Sequence, residues 1–255
     1  GRMLGYGEPL RVRQGARMLL HVVNASASET RHLALPGHAF QVISLDGHTV
    51  HQPRAVNGLR LGAGERLSAL VTMQTPGVWV LGDLQDSDRE SGLGIVVEYA
   101  ARRGPPRWHP PRTTRWDYLQ LSAMPAQQAR PPTARLPVAI ARVGNARGFS
   151  RFTVNGRSFS RESRAAFRLS SGHRYRLHFD NASDSACCLH LTGHPFELVS
   201  GAAEWHTGLS KDVLLLERGQ RLVADIVARA PGTFLLQCRR QLQRDFGLAA
   251  RVEVI

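Results

Sequence analysis

The sequence predicts an all-β protein built as two tandem antiparallel sandwiches. Three observations carry that prediction: the chain repeats itself, its apolar residues alternate with a period of two, and no long helical periodicity appears. At 255 residues the chain is long enough for two β domains that each bury a core.

The repeat can be read directly. LRVRQGARMLLHVVNAS (Leu10 to Ser26) aligns with FRLSSGHRYRLHFDNAS (Phe167 to Ser183), which puts Gly15 on Gly172 and His21 on His178. In the same register Asn24-Ala25-Ser26 falls on Asn181-Ala182-Ser183. One residue drops out of the second copy, and PGHAFQVIS (Pro36 to Ser44) then falls on TGHPFELVS (Thr192 to Ser200). Further on, LGAGERLSALVTMQTPGVWVL (Leu61 to Leu81) matches LERGQRLVADIVARAPGTFLL (Leu216 to Leu236), and Gly92-Leu93 matches Gly247-Leu248. Matches kept in one order along both halves mark a duplicated domain.

Each copy reads as β. In RYRLHFD, Tyr175, Leu177 and Phe179 alternate with Arg174, Arg176, His178 and Asp180, the pattern of a strand with one wet face. RLVADIVARA (Arg221 to Ala230) is rich in β-branched and small apolar residues and stops at a Pro231-Gly232 turn. Gly15 and Gly172 sit in hairpin-like turns. The two N-A-S tripeptides match a glycosylation acceptor, but as elements shared by both repeats they read as turns. The expected domains are 1–100 and 136–255, joined by a Pro/Arg-rich linker at 101–135.

Composition narrows the function classes. The chain is 42% hydrophobic and 21% charged, as in globular proteins, and no segment is apolar enough over its length to span a membrane. Position 1 is not methionine and no signal-peptide pattern follows, so Gly1 is expected to be a processed or cut end of something longer. The net charge of +13 raises the question of nucleic acid. Every basic residue except Lys211 is arginine, these are spread along the chain, and no nucleic-acid recognition motif accompanies them. Weak adhesion to anionic surfaces, or an acidic protein partner, is the expectation; specific nucleic-acid binding is not. Three cysteines are too few for a disulfide framework. No Gly-rich phosphate loop, nucleophile elbow or interpretable carboxylate pair is present.

The stretch SACCLHLTGHPFEL (Ser185 to Leu198) combines cysteines and histidines on one strand. Together with RYRLHFDNASD, SKDVLLL and CRRQLQRDFG it stands in the order and spacing of the multicopper oxidases. The chain resembles the second domain of that family from Gly1 to Ala100 and the third from Phe152 to Ile255. The resemblance implies cupredoxin (plastocyanin-like) Greek-key sandwiches, copper as the family cofactor, laccase-like oxidoreductase activity in the family, and a periplasmic or secreted home. It also implies a first domain, absent from this chain, that would bring half the histidines of a trinuclear cluster.

In the family's third domain, an H-x-x-H-x-H strand and an H-C-H-x-x-x-H strand hold copper. A Cys thiolate and two imidazoles bind the electron-accepting type-1 copper, and the histidines flanking that Cys bind the cluster. On this pattern the type-1 histidine falls on Cys187, the first cluster histidine on His190 and the second on Thr192. Cys238 takes the cysteine position, with Gln237 and Arg239 at its flanks, Gln243 at the last type-1 histidine and Leu248 at the axial position. Only Cys238 and His190 keep the family's residues. Losing even an outer partner of a metal ligand costs about 10–100-fold in affinity. A guanidinium at Arg239 would oppose clustered cations, by about 4 kcal/mol for unit charges 4 Å apart at an effective dielectric of 20. The resemblance therefore implies degenerate copper positions, no catalytic residues, and at most one copper.

Cys187 and Cys238 leave three readings open: small buried hydrophobes filling the vacated pocket, a disulfide, or a two-thiolate clamp on Cu(I) or Zn(II). Cys187, Cys238 and His190 are the candidate metal residues. Cys188 should point to the opposite face of the strand from Cys187. His190 alone reads as a hydrogen-bonded core histidine, and His194, matched by His38 in the other repeat, as part of a shared G-H-x-F turn. Asp212 falls where the family often places an acid near the type-1 site, and without copper its role is a surface or interdomain salt bridge to arginine. The expected function is a non-catalytic cupredoxin scaffold or binding module. The alternatives are a residual mononuclear copper or electron-transfer site on Cys187, Cys238 and His190, or an eroded oxidase fragment.

Overall fold

The computed structural model describes residues 4–112, 116–122, 127–128, 130–144, 150–200 and 205–255. They form two β-sandwiches whose sheets repeat the same strand order. In the first, one sheet runs 10–12, 94–99, 78–83, 31–34, 59–61, and the other runs 17–23, 66–72, 40–45, 48–49. In the second, 167–169, 249–254, 232–238, 187–191, 213–216 form the matching five-stranded sheet. Opposite it lies a sheet of seven, in which 174–181, 221–227, 196–200 and 205–211 follow the first repeat's order. Three further strands, 127–128, 134–144 and 150–154, extend it.

The duplication extends to backbone detail. Gly15 and Gly172 have φ of 81° and 80°, and Gly64 and Gly219 have 82° and 68°, values in the left-handed region that glycine adopts without a Cβ penalty. Asn24 and Asn181 are buried, and each closes its N-A-S turn by accepting the backbone N–H two residues on. Their amides donate to the equivalent carbonyls of Leu61 (2.8 Å) and Leu216 (3.2 Å).

Two features differ from the sequence reading. Pairing is mostly antiparallel, but Ala134–Gly144 runs parallel to Arg174–Asn181, Leu10–Val12 to Gly94–Tyr99, and Phe167–Leu169 to Ala249–Val254. The last two pairs join the first and last strands of each repeat, brought together at a sheet edge by the whole intervening chain. One residue of the expected wet face of RYRLHFD is buried: Arg176 is 1% exposed and holds Asp225 through Nε–Oδ1 at 2.7 Å and Nη2–Oδ2 at 2.9 Å, while Arg174, His178 and Asp180 stay partly exposed. The strand lies inside the seven-stranded sheet, and Arg176 Nη2 also reaches the carbonyl of Arg130, 3.2 Å away in the connector. Burying a guanidinium is tolerable here because a bidentate carboxylate accompanies it.

The connector is docked rather than loose. Arg107 exchanges backbone hydrogen bonds with Val78 and Val80 and lays its guanidinium 4.4 Å over Trp79. Trp108 receives the Arg89 guanidinium at 3.9 Å. Tyr118, in a short 3-10 turn capped by Asp117, is buried between the sandwiches. No helix of the described residues is long and apolar enough to cross a membrane.

Candidate metal centre and the contact between sandwiches

Cys187–Leu191 and Gly232–Cys238 are neighbouring antiparallel strands, with Leu189 opposite Cys238 and His190 opposite Gln237. Directly opposed residues project to the same face, and successive residues to opposite faces. Cys187, Leu189 and Cys238 therefore share one face, and Cys188, His190 and Gln237 share the other. Of the three candidate metal residues, the strands bring Cys187 and Cys238 together and send His190 away.

The Cys238 thiol donates to Gln243 Oε1 at 3.0 Å. Gln243 follows from the turn Gln241–Asp245, and its Nε2 donates to Ser185 Oγ (3.0 Å) and to the Ala186 carbonyl (2.9 Å). Both ends of the Gln243 amide are thus engaged. All three cysteines are free and buried. Burial pushes each thiol up, and Cys188 reaches about 12. Next to burial, the neighbouring Cys238 raises Cys187 and the Glu65 carboxylate raises Cys188.

Three histidines each donate from Nδ1 to a backbone carbonyl. His38 Nδ1 donates to the Pro36 carbonyl at 2.9 Å, and its Nε2 accepts from Tyr99 Oη at 2.6 Å. Burial holds its pKa below the usual value despite the Pro36 contact. His194 repeats this with the Thr192 carbonyl (2.9 Å) and the Arg229 backbone N–H (3.4 Å). Each ring has both nitrogens occupied, Nδ1 by a carbonyl of its own turn and Nε2 by a group from a distant segment. His190 Nδ1 donates to the Asp212 carbonyl at 3.0 Å. Thr192 Oγ1 donates to the Leu235 carbonyl at 3.4 Å, and the Arg239 side chain lies against Gly64 of the first sandwich. Among the described residues no three His, Cys, Asp or Glu side chains converge on a point that could hold a metal ion.

A second constellation, which sequence reasoning missed, joins the sandwiches. Lys211, the chain's sole lysine, is 1% exposed. Its Nζ sits 3.1 Å from Asp46 Oδ2, 2.8 Å from Glu65 Oε1 and 4.6 Å from the Tyr118 ring. Asp46 also accepts the backbone N–H groups of Asp212 and Val213, both at 3.1 Å. Glu65 accepts Tyr118 Oη at 2.5 Å. Desolvation lowers the Lys211 pKa, but the two carboxylates more than offset it and hold it above the ordinary lysine value. Tyr118 is pushed well above its usual range, by burial first and then by Glu65. Asp212 closes the edge of this contact with His48 Nε2 at 2.8 Å and Arg66 Nη2 at 2.9 Å, and Arg60 pairs with Glu217 alongside.

Paired strand orders, a His/Tyr-closed turn in one repeat and a Cys–Gln lock in the other define a tandem of cupredoxin-like sandwiches. The chain belongs to the multicopper oxidase family, whose models match residues 7–96 and 129–255. It is 28% identical over 260 residues to Multicopper oxidase MmcO of Mycobacterium tuberculosis (strain ATCC 25618 / H37Rv), covering 100% of this chain and 50% of that protein. It is 30% identical over 105 residues to Laccase-3 of Thanatephorus cucumeris, covering 40% of this chain and 18% of that one. The chain therefore spans half or less of these curated relatives. Among solved structures, Fet3p, a multicopper oxidase that functions in iron import, superposes with a TM-score of 0.78 at 14% identity, covering 96% of this chain and 57% of that one. A laccase from Botrytis aclada superposes with 0.79 at 16%, covering 98% and 54%. At such identities these likenesses speak for the fold.

Proposed function

We propose that this chain is a cupredoxin scaffold of multicopper-oxidase descent with degenerate copper positions, acting as a binding module and not as an oxidase. One observation carries the reading: Gln243, where the family places an imidazole, ties Cys238 to Ser185 and Ala186. An amide with all its groups engaged is a poor copper ligand, and a protonated thiol must first lose its proton to become one. At the cluster positions the donor set is a single imidazole, His190, beside Thr192, Gln237 and Arg239. These residues do not fit a trinuclear centre. The arginine-rich surface suits an acidic partner, and the family's home outside the cytoplasm belongs to the same reading.

A mononuclear copper on Cys187 and Cys238 is the alternative, because these two thiols share one face. His190, on the other, does not contribute. Copper reconstitution under reducing conditions, read by elemental analysis and visible absorption, separates the two. The scaffold reading expects no retained copper and no thiolate-to-copper band. About one copper per chain with such a band would replace it with the mononuclear site.

A further inference from the structure

Several arginines of this protein have acidic partners, among them Arg31 with Asp88, Arg66 with Asp212, Arg142 with Asp184 and Arg176 with Asp225. Arg157, Arg164 and Arg251, which pair with no carboxylate among the described residues, line one cavity of about 360 Å³ in the second sandwich. Ser158 and Ser163 add hydroxyls to its wall, Val154, Phe159 and Ala249 give it an apolar side, and no carboxylate lines it among the described residues.

The cavity is built on a fixed frame. The loop after Ser150–Val154 is tied down by Arg157 N–H to the Val154 carbonyl (3.1 Å), Phe159 N–H to Gly247 (3.1 Å) and Ala166 N–H to Arg251 (2.9 Å). Gly247 lets the loop approach, since a Cβ there would fall 1.9 Å from Ser158 Oγ. Arg251 Nη2 holds the Arg161 carbonyl at 2.9 Å, and its Nε is buried without a partner among the described residues. A buried donor left unpaired in a native fold calls for an explanation. Three arginines lining one hollow concentrate positive charge there, and their forked donors suit oxyanions.

We propose that this cavity binds a small organic phosphate, its phosphoryl group held by Arg157, Arg164 and Arg251 and its apolar part against Phe159 and Val154. Isothermal titration with phenyl phosphate, inorganic phosphate and phenol tests it on the whole chain. Phenyl phosphate is expected to saturate at one per chain, inorganic phosphate to bind more weakly, and phenol not to bind. Arg251→Gln and Arg164→Gln should each weaken phenyl phosphate about tenfold or more, while Arg13→Gln, in the other sandwich, should not. Should Arg251→Gln fail to fold, Arg164→Gln, on the exposed loop, decides alone. Absence of saturable binding, or equal weakening by Arg13→Gln, overturns the proposal, since the first removes the site and the second reduces it to general charge.

Discussion

Cys238 donates its thiol proton to Gln243 at 3.0 Å, and this bond fastens the turn after the strand to the strand itself. Gln243 is 6% exposed and spends its two N–H groups on Ser185 and Ala186. Truncation in Gln243→Ala would leave the buried Cys238 thiol without its acceptor and the part-buried Ala186 carbonyl without this donor. The expected loss is about 2–4 kcal/mol of unfolding free energy, measured by urea denaturation. A loss under 1 kcal/mol would mean that water replaces the amide and that the lock is dispensable.

The three thiols are buried and held up in pKa. Reaction needs the thiolate and access to it. In the native protein at pH 8 a disulfide reagent should therefore release no colour over minutes, and three equivalents should appear on denaturation. Two missing equivalents after non-reducing denaturation would instead reveal a Cys187–Cys238 disulfide.

What the sequence made legible was local or repeated. The Asn24 and Asn181 turns, the matched His38 and His194, and the alternation along Arg174–Asn181 all depend on neighbours within a few residues or on a second copy. The sequence reading groups His190 with Cys187 and Cys238, although a spacing of three along a strand puts it on the face opposite theirs. Lys211 was not legible. Its partners Asp46 and Glu65 belong to the other sandwich, and nothing in the S-K-D-V segment distinguishes a buried lysine from a solvated one. The same holds for Arg176, whose cover comes from a Pro-rich connector that read as a linker.

Lys211 neutralises two carboxylates that have no water to turn to. Lys211→Met should cost about 3–5 kcal/mol, the range for breaking a buried pair by removing one partner. Lys211→Met combined with Glu65→Gln should lose less than the two single changes summed, because the charge stranded by one is removed by the other. Additive losses in a double-mutant cycle would show the groups to be uncoupled.

The same contact sets a pH profile. Burial pushes the Asp212 carboxyl up, but His48 and Arg66 more than offset this and leave it below the usual value. A depressed folded pKa gives stability that is present above about pH 4 and lost as pH falls through the folded value. Lys211 is raised, so its contribution is full below about pH 10 and is lost only as pH rises through its folded value. Melting temperature should thus be flat in Lys211's share across neutral pH and fall in acid, with Asp212→Asn flattening the acid limb. An unchanged acid limb in Asp212→Asn would assign that loss to other carboxylates.

Gly62 and Cys188 meet across the two sandwiches: a Cβ on Gly62 would lie 2.6 Å from Cys188 Sγ and 3.1 Å from Leu215 Cδ1. Gly62 needs no left-handed backbone, so any penalty for Gly62→Ala arises from crowding and not from φ. Overpacking of this kind costs about 1–3 kcal/mol. Cys188→Ala removes the nearest obstacle, and the double variant should recover at least half of the Gly62→Ala loss, a coupling of about 1 kcal/mol. If Cys188→Ala gives no rescue, the clash is with Leu215, and the closeness of the two sandwiches is set by the leucine rather than by the thiol.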